Sequence, residues 1–299
     1  MPGITVTEAA EAIDRAWQED GIFTEQTRDR FKCLLDRFAH YCTARGVLEF
    51  EGVDERVACA FVRAKGRRRD GSLVDPAPAT MQLRRAVLRA AFRTARALAL
   101  TYEDPLRDLV LPQRERGVTR PLTRTEADLL WLHAWDEGRA TRHATTIALL
   151  LAGANTGEIG YITVADVDQE GGRVWAHGSH KHRARWIDLA PRGMQAVQRR
   201  STALLGRDAS ASPETCILAT GSDGDSAHRQ ARVCVTVRDV LVRAGLGDDP
   251  RIRPASVSAF AGARVFEHTG RVEDAAAVLS LRSLDATARA IGYAWCSEG

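Results

Sequence analysis

The sequence predicts a mainly α-helical protein with a small β component. Apolar residues recur at helical spacing through most of the chain, as they do at Phe31, Leu34 and Phe38. Alternation of apolar and polar residues marks two short segments, Arg173–His177 and Arg185–Leu189, which we expect to pair as a hairpin. At 299 residues the chain is long enough for two domains, each with its own core.

The N-terminal part is predicted to consist of helices. An amphipathic helix covers Thr24–Arg45 and ends before Gly46, and a short helix covers Glu55–Lys65. Residues 66–78 are rich in glycine, proline and arginine, which predicts a loop. Thr80 can then cap a long helix that runs to Leu98.

A linker is expected to separate this part from a second domain. Residues 104–121 contain three prolines and several arginines, which indicates an extended, basic segment. Thr123–Glu126 has the pattern of a capping box and begins a new helix. We therefore predict a helical domain at 1–110, a basic linker at 111–121 and a domain of mixed α and β structure at 122–299.

The second domain is predicted to be built around one very apolar helix. This helix covers Ala140–Ala154 and should lie at the centre of the core, and Gly178–Ala184 should form the turn of the hairpin. Further helices are predicted at Pro191–Leu205, Ala227–Ala244, Ser256–His268, Val272–Leu279 and Leu284–Ile291.

The composition excludes several classes of protein. With 44% hydrophobic and 27% charged residues, the chain is not wholly disordered. Its longest apolar stretch, Ala144–Ala154, is too short to span a bilayer, and the acidic N-terminus has no signal-peptide pattern. The six cysteines are scattered, so we expect reduced thiols and neither a metal nor a cofactor. A cytoplasmic protein, associated with the nucleoid when bound to DNA, is the expectation.

The net charge of +3 is unevenly distributed along the chain. Positions 60–120 hold 14 Lys or Arg residues against 6 Asp or Glu residues, a net charge of +8, so the rest of the chain carries −5. Such a concentration is typical of a surface that binds a polyanion, although a merely solvated face would give the same count. Charge alone leaves both interpretations open.

The arginines of the long helix favour contact with double-stranded DNA. Arg85, Arg89, Arg93 and Arg96 follow one another at intervals of four, four and three, so they lie along one face, where they can track phosphates. An ordinary solvated helix would mix lysine with glutamate, yet positions 76–102 contain no acidic residue. Near the start of the helix, the candidates for reading base edges are Gln82 and Arg84.

The order of these parts resembles that of the tyrosine recombinase (phage integrase) family over nearly the whole chain. The resemblance implies a helical, SAM-like core-binding domain followed by a catalytic-type α+β domain that carries a β-hairpin. It is carried, in the family's order, by Thr80–Ala95, Arg120–Ala127, Leu149–Asp168, the hairpin at 173–189 and Leu279–Thr287.

The resemblance also implies that the catalytic positions are degenerate. The family's first catalytic arginine falls on Asn155, and its His-x-x-Arg box falls on Ala255 and Ser258. Its later histidine or tryptophan falls on Leu281. A literal His-x-x-Arg begins at His268. Gly270, which lies within it, matches the glycine that ends the helix after the family's box, so we interpret the literal motif as a chance match and not as the catalytic box.

The lysine and the nucleophile are less well defined by the resemblance. The lysine position falls on Lys181, or on His180 one residue earlier. Counting along the family's pattern puts Ala290 at the nucleophilic tyrosine, whereas Tyr293 lies three residues later and beside Trp295. A packing role for Tyr293 is favoured over a catalytic one.

These observations predict a double-stranded-DNA-binding protein without catalytic activity, which acts as a transcriptional regulator or accessory DNA-binding factor. One alternative is an active recombinase or integrase that uses Tyr293 and Lys181, and another is an interaction scaffold that does not bind DNA. Because few residues follow Tyr293, we expect a monomer or a dimer assembled on DNA, with other regulatory proteins as further candidate partners. The expected DNA contacts are Lys65, Arg67, Arg68, Arg69, Thr80, Gln82, Arg84, Arg85, Arg89, Arg93, His180, Lys181, His182, Arg183 and Arg185.

Overall fold

The computed structural model divides the chain into two compact units, Met1–Arg116 and Gly117–Gly299. Among the residues that the structure describes, every helix is too short or too polar to cross a lipid bilayer. The described residues are 3–68, 70–112, 119–135, 141–178, 182–207, 210–221 and 226–295, without the side chains at 26, 226 and 227.

The first unit is helical, with one small hairpin. The predicted helices at Thr24–Arg45 and Glu55–Lys65 are confirmed to within two residues at each end. The expectation of a plain loop at 66–78 was wrong, because two strands of two residues each pair there and are too short to give an alternating pattern. The elements are α1 (Val6–Asp20), α2 (Glu25–Thr43), α3 (Glu55–Arg63), β1 (Gly66–Arg67), β2 (Leu73–Val74) and α4 (Pro78–Ala97).

The core of the first unit joins α1 to α4 and includes part of the predicted linker. The Trp17 indole is buried, and its Nε1 donates a hydrogen bond to Thr94 Oγ1 at 2.9 Å. Leu106, Leu109 and Leu111 are also buried in this core. The expectation of an extended linker from residue 104 was therefore wrong for its first part, because these leucines pack into the core. Residues 113–118 of the predicted linker lie outside the described part of the chain.

Helix α4 begins three residues earlier than predicted, because its N-cap is Ala77. Pro78 stands in its first turn, where a missing N–H costs nothing, so Thr80 is not the cap that the sequence suggested. Leu88, Phe92 and Ala95 form an apolar stripe along one face of α4, and all three are buried. Leu98 does not continue the stripe, because it follows the last helical residue and is 42% exposed.

The second unit contains helices around a small sheet, and its predicted helices are confirmed with small shifts at some ends. The capping box at Thr123–Glu126 is present, with both of its reciprocal hydrogen bonds. The fold class predicted from the sequence, mainly α with a small β component, is confirmed. The elements are α5 (Arg124–Ala134), α6 (Arg142–Leu151), α7 (Thr156–Ile159), β3 (Val167–Asp168), β4 (Arg173–Ala176), β5 (Arg185–Asp188), α8 (Pro191–Leu205), α9 (Ser226–Arg243), α10 (Pro254–Thr269), α11 (Val272–Leu279) and α12 (Leu284–Ile291).

The sheet of the second unit has three antiparallel strands in the order β3-β4-β5. The predicted hairpin is confirmed as β4 and β5, with Val174 opposite Ile187 on the buried face. Strand β3 was not predicted. Helix α6 lies in the core as expected, since Ile147, Leu149 and Leu150 have no exposed surface.

The cysteines of the described residues are unpaired. Cys42, Cys59 and Cys216 are buried, while Cys33 is exposed. Burial raises the pKa of the Cys42 thiol to about 12, so this side chain behaves as a small apolar group. In the same described residues, no three His, Cys, Asp or Glu side chains are grouped so that they could hold a metal ion.

Candidate functional site

Asn155 stands at the N-terminus of α7 and caps it. Its Oδ1 accepts hydrogen bonds from the backbone N–H groups of Gly157 at 2.9 Å and Glu158 at 3.1 Å. Glu158 returns the interaction, because its carboxylate accepts from the Asn155 N–H. Asparagine is among the best N-cap residues, so the position is well suited to this side chain. Its Nδ2 is buried and has no hydrogen-bond partner among the described residues.

Arg185 on β5 neutralises Glu158. The Arg185 Nη1 lies 2.7 Å from Glu158 Oε1, and the two side chains are 14% and 1% exposed. The same guanidinium donates to the backbone oxygens of Gly153 at 2.9 Å and Val278 at 3.2 Å. We therefore remove Arg185 from the set of expected DNA contacts, because its hydrogen-bonding groups are used inside the unit.

The four positions that the resemblance assigns to the family's catalytic residues lie at one pocket. Asn155, Ala255, Ser258 and Leu281 all line a cavity of about 200 Å³, and so does Ala290. They reach it from different elements: the N-terminus of α7, the first turns of α10, the connection between α11 and α12, and the last turn of α12. The structure thus brings together the residues that the resemblance selected one by one.

The pocket contains little charge. None of the described residues that line it is an acid, a lysine or an arginine. Its one ionisable lining group is His182, whose Nδ1 is buried and lacks a hydrogen-bond partner in the described structure. Ser258 Oγ donates to the Ala154 oxygen at 2.6 Å, so its proton is already used. The two candidates for the lysine position, His180 and Lys181, lie outside the described residues.

Tyr293 packs beside this pocket without lining it. Helix α12 ends at Gly292 in a left-handed conformation, and Tyr293 follows immediately. The Tyr293 ring contacts Phe266, with a centroid distance of 4.9 Å, and Trp295, at 5.3 Å. The position that lines the pocket is Ala290, which is the one that counting along the family pattern selects.

Among the described residues, two arginines that could compensate, Arg253 and Arg264, do not line the pocket. The Arg264 guanidinium lies 5.8 Å from the Phe260 ring centroid and lines a neighbouring cavity. Arg253 is exposed at the N-terminus of α10. The literal His-x-x-Arg at His268–Arg271 spans the end of α10, where Gly270 adopts φ +69° as the C-cap, and its arginine pairs with Asp274 at 3.8 Å.

In the first unit, two of the expected base-reading residues are used internally. Arg84 Nη1 donates to the backbone oxygens of Phe61, Val62 and Ala64 at the end of α3. Burial lowers the pKa of Arg84, as expected for a partly desolvated cation. Gln82 donates to the Pro112 oxygen at 3.2 Å. Both side chains are thus engaged within the unit, and neither is proposed below as a DNA contact.

Other basic residues of the first unit remain at the surface. Arg89 and Arg93 are exposed on α4, and Arg93 has no ion pair or hydrogen bond within the described residues. Arg67 and Arg68 are exposed at the small hairpin, next to Arg69, which lies outside the described part. Three further expected contacts lie in this unit. Arg85 is half-buried and donates to Leu109 O and Gln82 Oε1, and Thr80 is also half-buried. Lys65 is exposed and pairs with Asp75 at 3.7 Å.

The sequence missed two residues that shape the site. Glu158 lies in the segment Leu149–Asp168 that carries the resemblance, but its role as a buried counter-ion for Arg185 was not predicted. Gly153 also contributes, because it lines the pocket with φ +100° and its oxygen accepts from Arg185. The spacing of Asn155 and Glu158, which is that of a capping box, was the signal that could have predicted the cap.

Comparison with solved structures identifies the fold. The chain is similar to a lambda integrase dimer bound to a COC' core site, with TM-score 0.68, 15% identity, and coverage of 99% of this chain and 80% of that one. It is also similar to the Tn1549 transposon integrase in complex with transposon right end DNA, with TM-score 0.64, 15% identity, and coverage of 97% and 96%. No protein-family model and no curated protein matches the sequence. At this identity the likeness is one of fold: the chain has the fold of the tyrosine recombinases and integrases.

Proposed function

We propose that this protein binds double-stranded DNA without cleaving it and acts as a transcriptional regulator or accessory DNA-binding factor. The observation that carries the proposal is the contrast between two regions. The pocket formed by Asn155, Ala255, Ser258 and Leu281 has no acid, lysine or arginine among its described lining residues. The first unit, in contrast, keeps exposed arginines on α4 and at its small hairpin.

The described lining of the pocket includes no arginine or lysine of the kind that phosphodiester chemistry uses. Attack on a phosphate builds negative charge on its oxygens, and fixed cations or hydrogen-bond donors must stabilise that charge. Arginine suits this task because its planar, permanently charged group binds two phosphate oxygens at once. Removing one such donor lowers the rate about a hundred- to a thousandfold, so the joint loss at several positions leaves no useful turnover.

Solved structures of the same fold support DNA as the partner. The lambda integrase structures include a dimer on a core site and a tetramer bound to a Holliday junction. The Tn1549 integrase structures include a complex with a transposon end. The exposed residues proposed to contact DNA here are Lys65, Arg67, Arg68, Arg89, Arg93 and Arg183, together with Arg69, His180 and Lys181, which lie outside the described part.

The test of DNA binding is selection of duplexes from a random library, followed by titration of the selected site at several salt concentrations. We expect the variant R89A/R93A to lower the slope of log K against log salt by about 2, because each lost phosphate contact removes about 0.9. The matched control is R30A/R56A, which removes two other exposed arginines of the same unit that have no partner among the described residues. Equal losses in both variants, or no selected duplex, would contradict the proposal.

The second half of the proposal concerns cleavage. We expect no covalent protein–DNA complex when the selected site is supplied as a nicked suicide substrate that traps such intermediates. The control is the Tyr293→Phe variant, which should behave as the parent does. A trapped complex that disappears in this variant would instead establish an active recombinase that uses Tyr293.

A further inference from the structure

We propose that the pocket of the second unit binds an uncharged small organic molecule with an apolar body and a hydrogen-bond acceptor. The proposal goes beyond DNA binding and does not depend on it. It rests on the size of the pocket, on the apolar residues that line it and on one buried donor that lacks a partner.

The size and lining of the pocket suit a compact organic molecule. Its volume is about 200 Å³, and Leu279, Leu281, Ala259 and Ala290 supply apolar surface. Enclosed apolar cavities of about 150 Å³ hold a benzene ring in other proteins. Ala255 also lines this pocket and is exposed to solvent, which places an entrance at the first turn of α10. A planar ring with one substituent can therefore enter the pocket and fit within its volume.

The polar groups of the pocket specify an acceptor on the ligand. The Asn155 Oδ1 is held by two backbone N–H groups, so the orientation of the carboxamide is fixed. This leaves Nδ2 as a buried donor without a partner in the described structure. Buried donors are nearly always satisfied in folded proteins, and a carbonyl oxygen on a ligand would satisfy this one. His182 Nδ1 offers a second polar contact in the same pocket.

The described lining of the pocket offers a charged ligand no counter-charge. No acid, lysine or arginine lies among its described lining residues. The nearby Arg185 guanidinium is already neutralised by Glu158 and held by backbone oxygens. Burial of an ion without a counter-charge is strongly unfavourable, so an anion gains nothing here that water does not already provide.

Three probes of the same shape test the proposal, because benzamide, benzoate and benzamidinium differ only in charge at the substituent. Binding is measured on the full chain by ligand-observed saturation-transfer NMR and by calorimetry, at one pH and one salt concentration. We expect benzamide to bind at least about tenfold more tightly than either ion. Equal or tighter binding of benzoate would mean that an anion site persists, and this overturns the proposal. Tighter binding of benzamidinium, or no binding of benzamide, overturns it as well.

Substitutions at two lining positions test whether benzamide binds in this pocket. Ala255→Leu adds bulk at the solvent-exposed entrance and should abolish benzamide binding, whereas Ala231→Leu, at an exposed position of α9 outside the pocket, should not. Asn155→Asp keeps an oxygen to cap α7 but replaces the Nδ2 donor by an anionic acceptor. We expect this variant to lose benzamide affinity at least about tenfold and to bind benzamidinium instead. Unchanged benzamide affinity in A255L or N155D would overturn the assignment to this pocket, and the thermal transition of each variant verifies that it is folded.

Discussion

The Arg185 guanidinium lies 2.7 Å from the Glu158 carboxylate, and both side chains are largely buried. Because Glu158 is 1% exposed, its charge depends on this one arginine for compensation. Two backbone oxygens accept from the same guanidinium, which links the hairpin strand β5 to the connection before α7 and to the end of α11. The interaction thus uses the hydrogen-bonding groups of Arg185 inside the second unit.

We expect Arg185→Ala to lower the free energy of unfolding by about 3–5 kcal/mol, because it leaves the buried Glu158 carboxylate without a counter-charge. Chemical denaturation measures the change. Arg271→Ala is the control, since Arg271 and Asp274 form an exposed pair at 3.8 Å. Its loss should change stability by less than about 1 kcal/mol. Equal effects of the two substitutions would show that the buried pair is not important for stability.

Asn155 allows a second prediction about stability. Asn155→Ala removes the cap of α7 and should lower the free energy of unfolding by about 1 kcal/mol. Asn155→Asp keeps an oxygen for the Gly157 and Glu158 N–H groups, so it should retain most of that contribution. The two variants are compared by urea denaturation. If aspartate destabilises as much as alanine does, the capping interpretation is wrong.

The candidate site was only partly predictable from the sequence. The resemblance selected Asn155, Ala255 and Ser258 from positions far apart in the chain, and the structure brings them to one pocket. It did not reveal that Asn155 caps a helix or that Arg185 is used by Glu158. Such roles depend on which groups the fold brings within hydrogen-bonding distance, and no spacing along the chain encodes the Arg185–Glu158 contact across 27 residues.

Arg84 and Arg93 are expected to have different roles although both lie on α4. Arg84 donates to three backbone oxygens at the end of α3, so Arg84→Ala should destabilise the first unit by about 1–3 kcal/mol. It should leave the salt dependence of DNA binding unchanged. Arg93→Ala is the matched variant: its side chain is exposed and without a described partner, so stability should change by less than about 0.5 kcal/mol. Unfolding curves and salt titrations of both variants distinguish the two roles, and a reversed pattern would refute the assignment.

The fold itself was more predictable than the site. Helix α8 has the predicted bounds, Pro191–Leu205, because proline marks its start and Gly206 follows its end. The hairpin of β4 and β5 was predicted from alternation in two adjacent segments. The start of α4 was predicted wrongly because threonine and proline both signal helix starts, and Pro78 takes the first turn here. Leu106 packs into a core that is formed by distant helices, which local composition could not indicate.

An acid-sensitive ion pair stabilises the second unit near its start. Hydrogen bonds from Arg120 lower the pKa of Glu126 to about 2, and Arg120 also contacts Asp249 at 3.1 Å. A depressed pKa means that the stabilisation is complete above the ordinary value of 4.5 and is lost as the pH falls through about 2. We therefore expect the free energy of unfolding of the parent to decrease as the pH falls over this range. In the Glu126→Gln variant this decrease should be smaller by on the order of 2 kcal/mol.

The control for this pH dependence is Glu273→Gln, which changes an exposed carboxylate without a described partner. Denaturation curves at several pH values from about 5 to about 2 should show a shallower decrease in E126Q than in the parent, and an unchanged decrease in E273Q. A parent-like slope in E126Q would show that the pair does not determine acid stability.

Tyr293 provides a prediction that distinguishes a packing role from a catalytic one. Its ring lies against Phe266 and Trp295, and no hydrogen bond of its hydroxyl group is present among the described residues. Tyr293→Phe should therefore change the free energy of unfolding by less than about 0.5 kcal/mol, whereas Tyr293→Ala should lower it by about 2–3 kcal/mol. Tyr102→Ala, at an 88% exposed position, controls for loss of a tyrosine that does not pack. If the hydroxyl group were a nucleophile, phenylalanine would preserve stability equally well but abolish any covalent DNA complex. Measuring stability and covalent trapping on the same variants therefore separates the two roles.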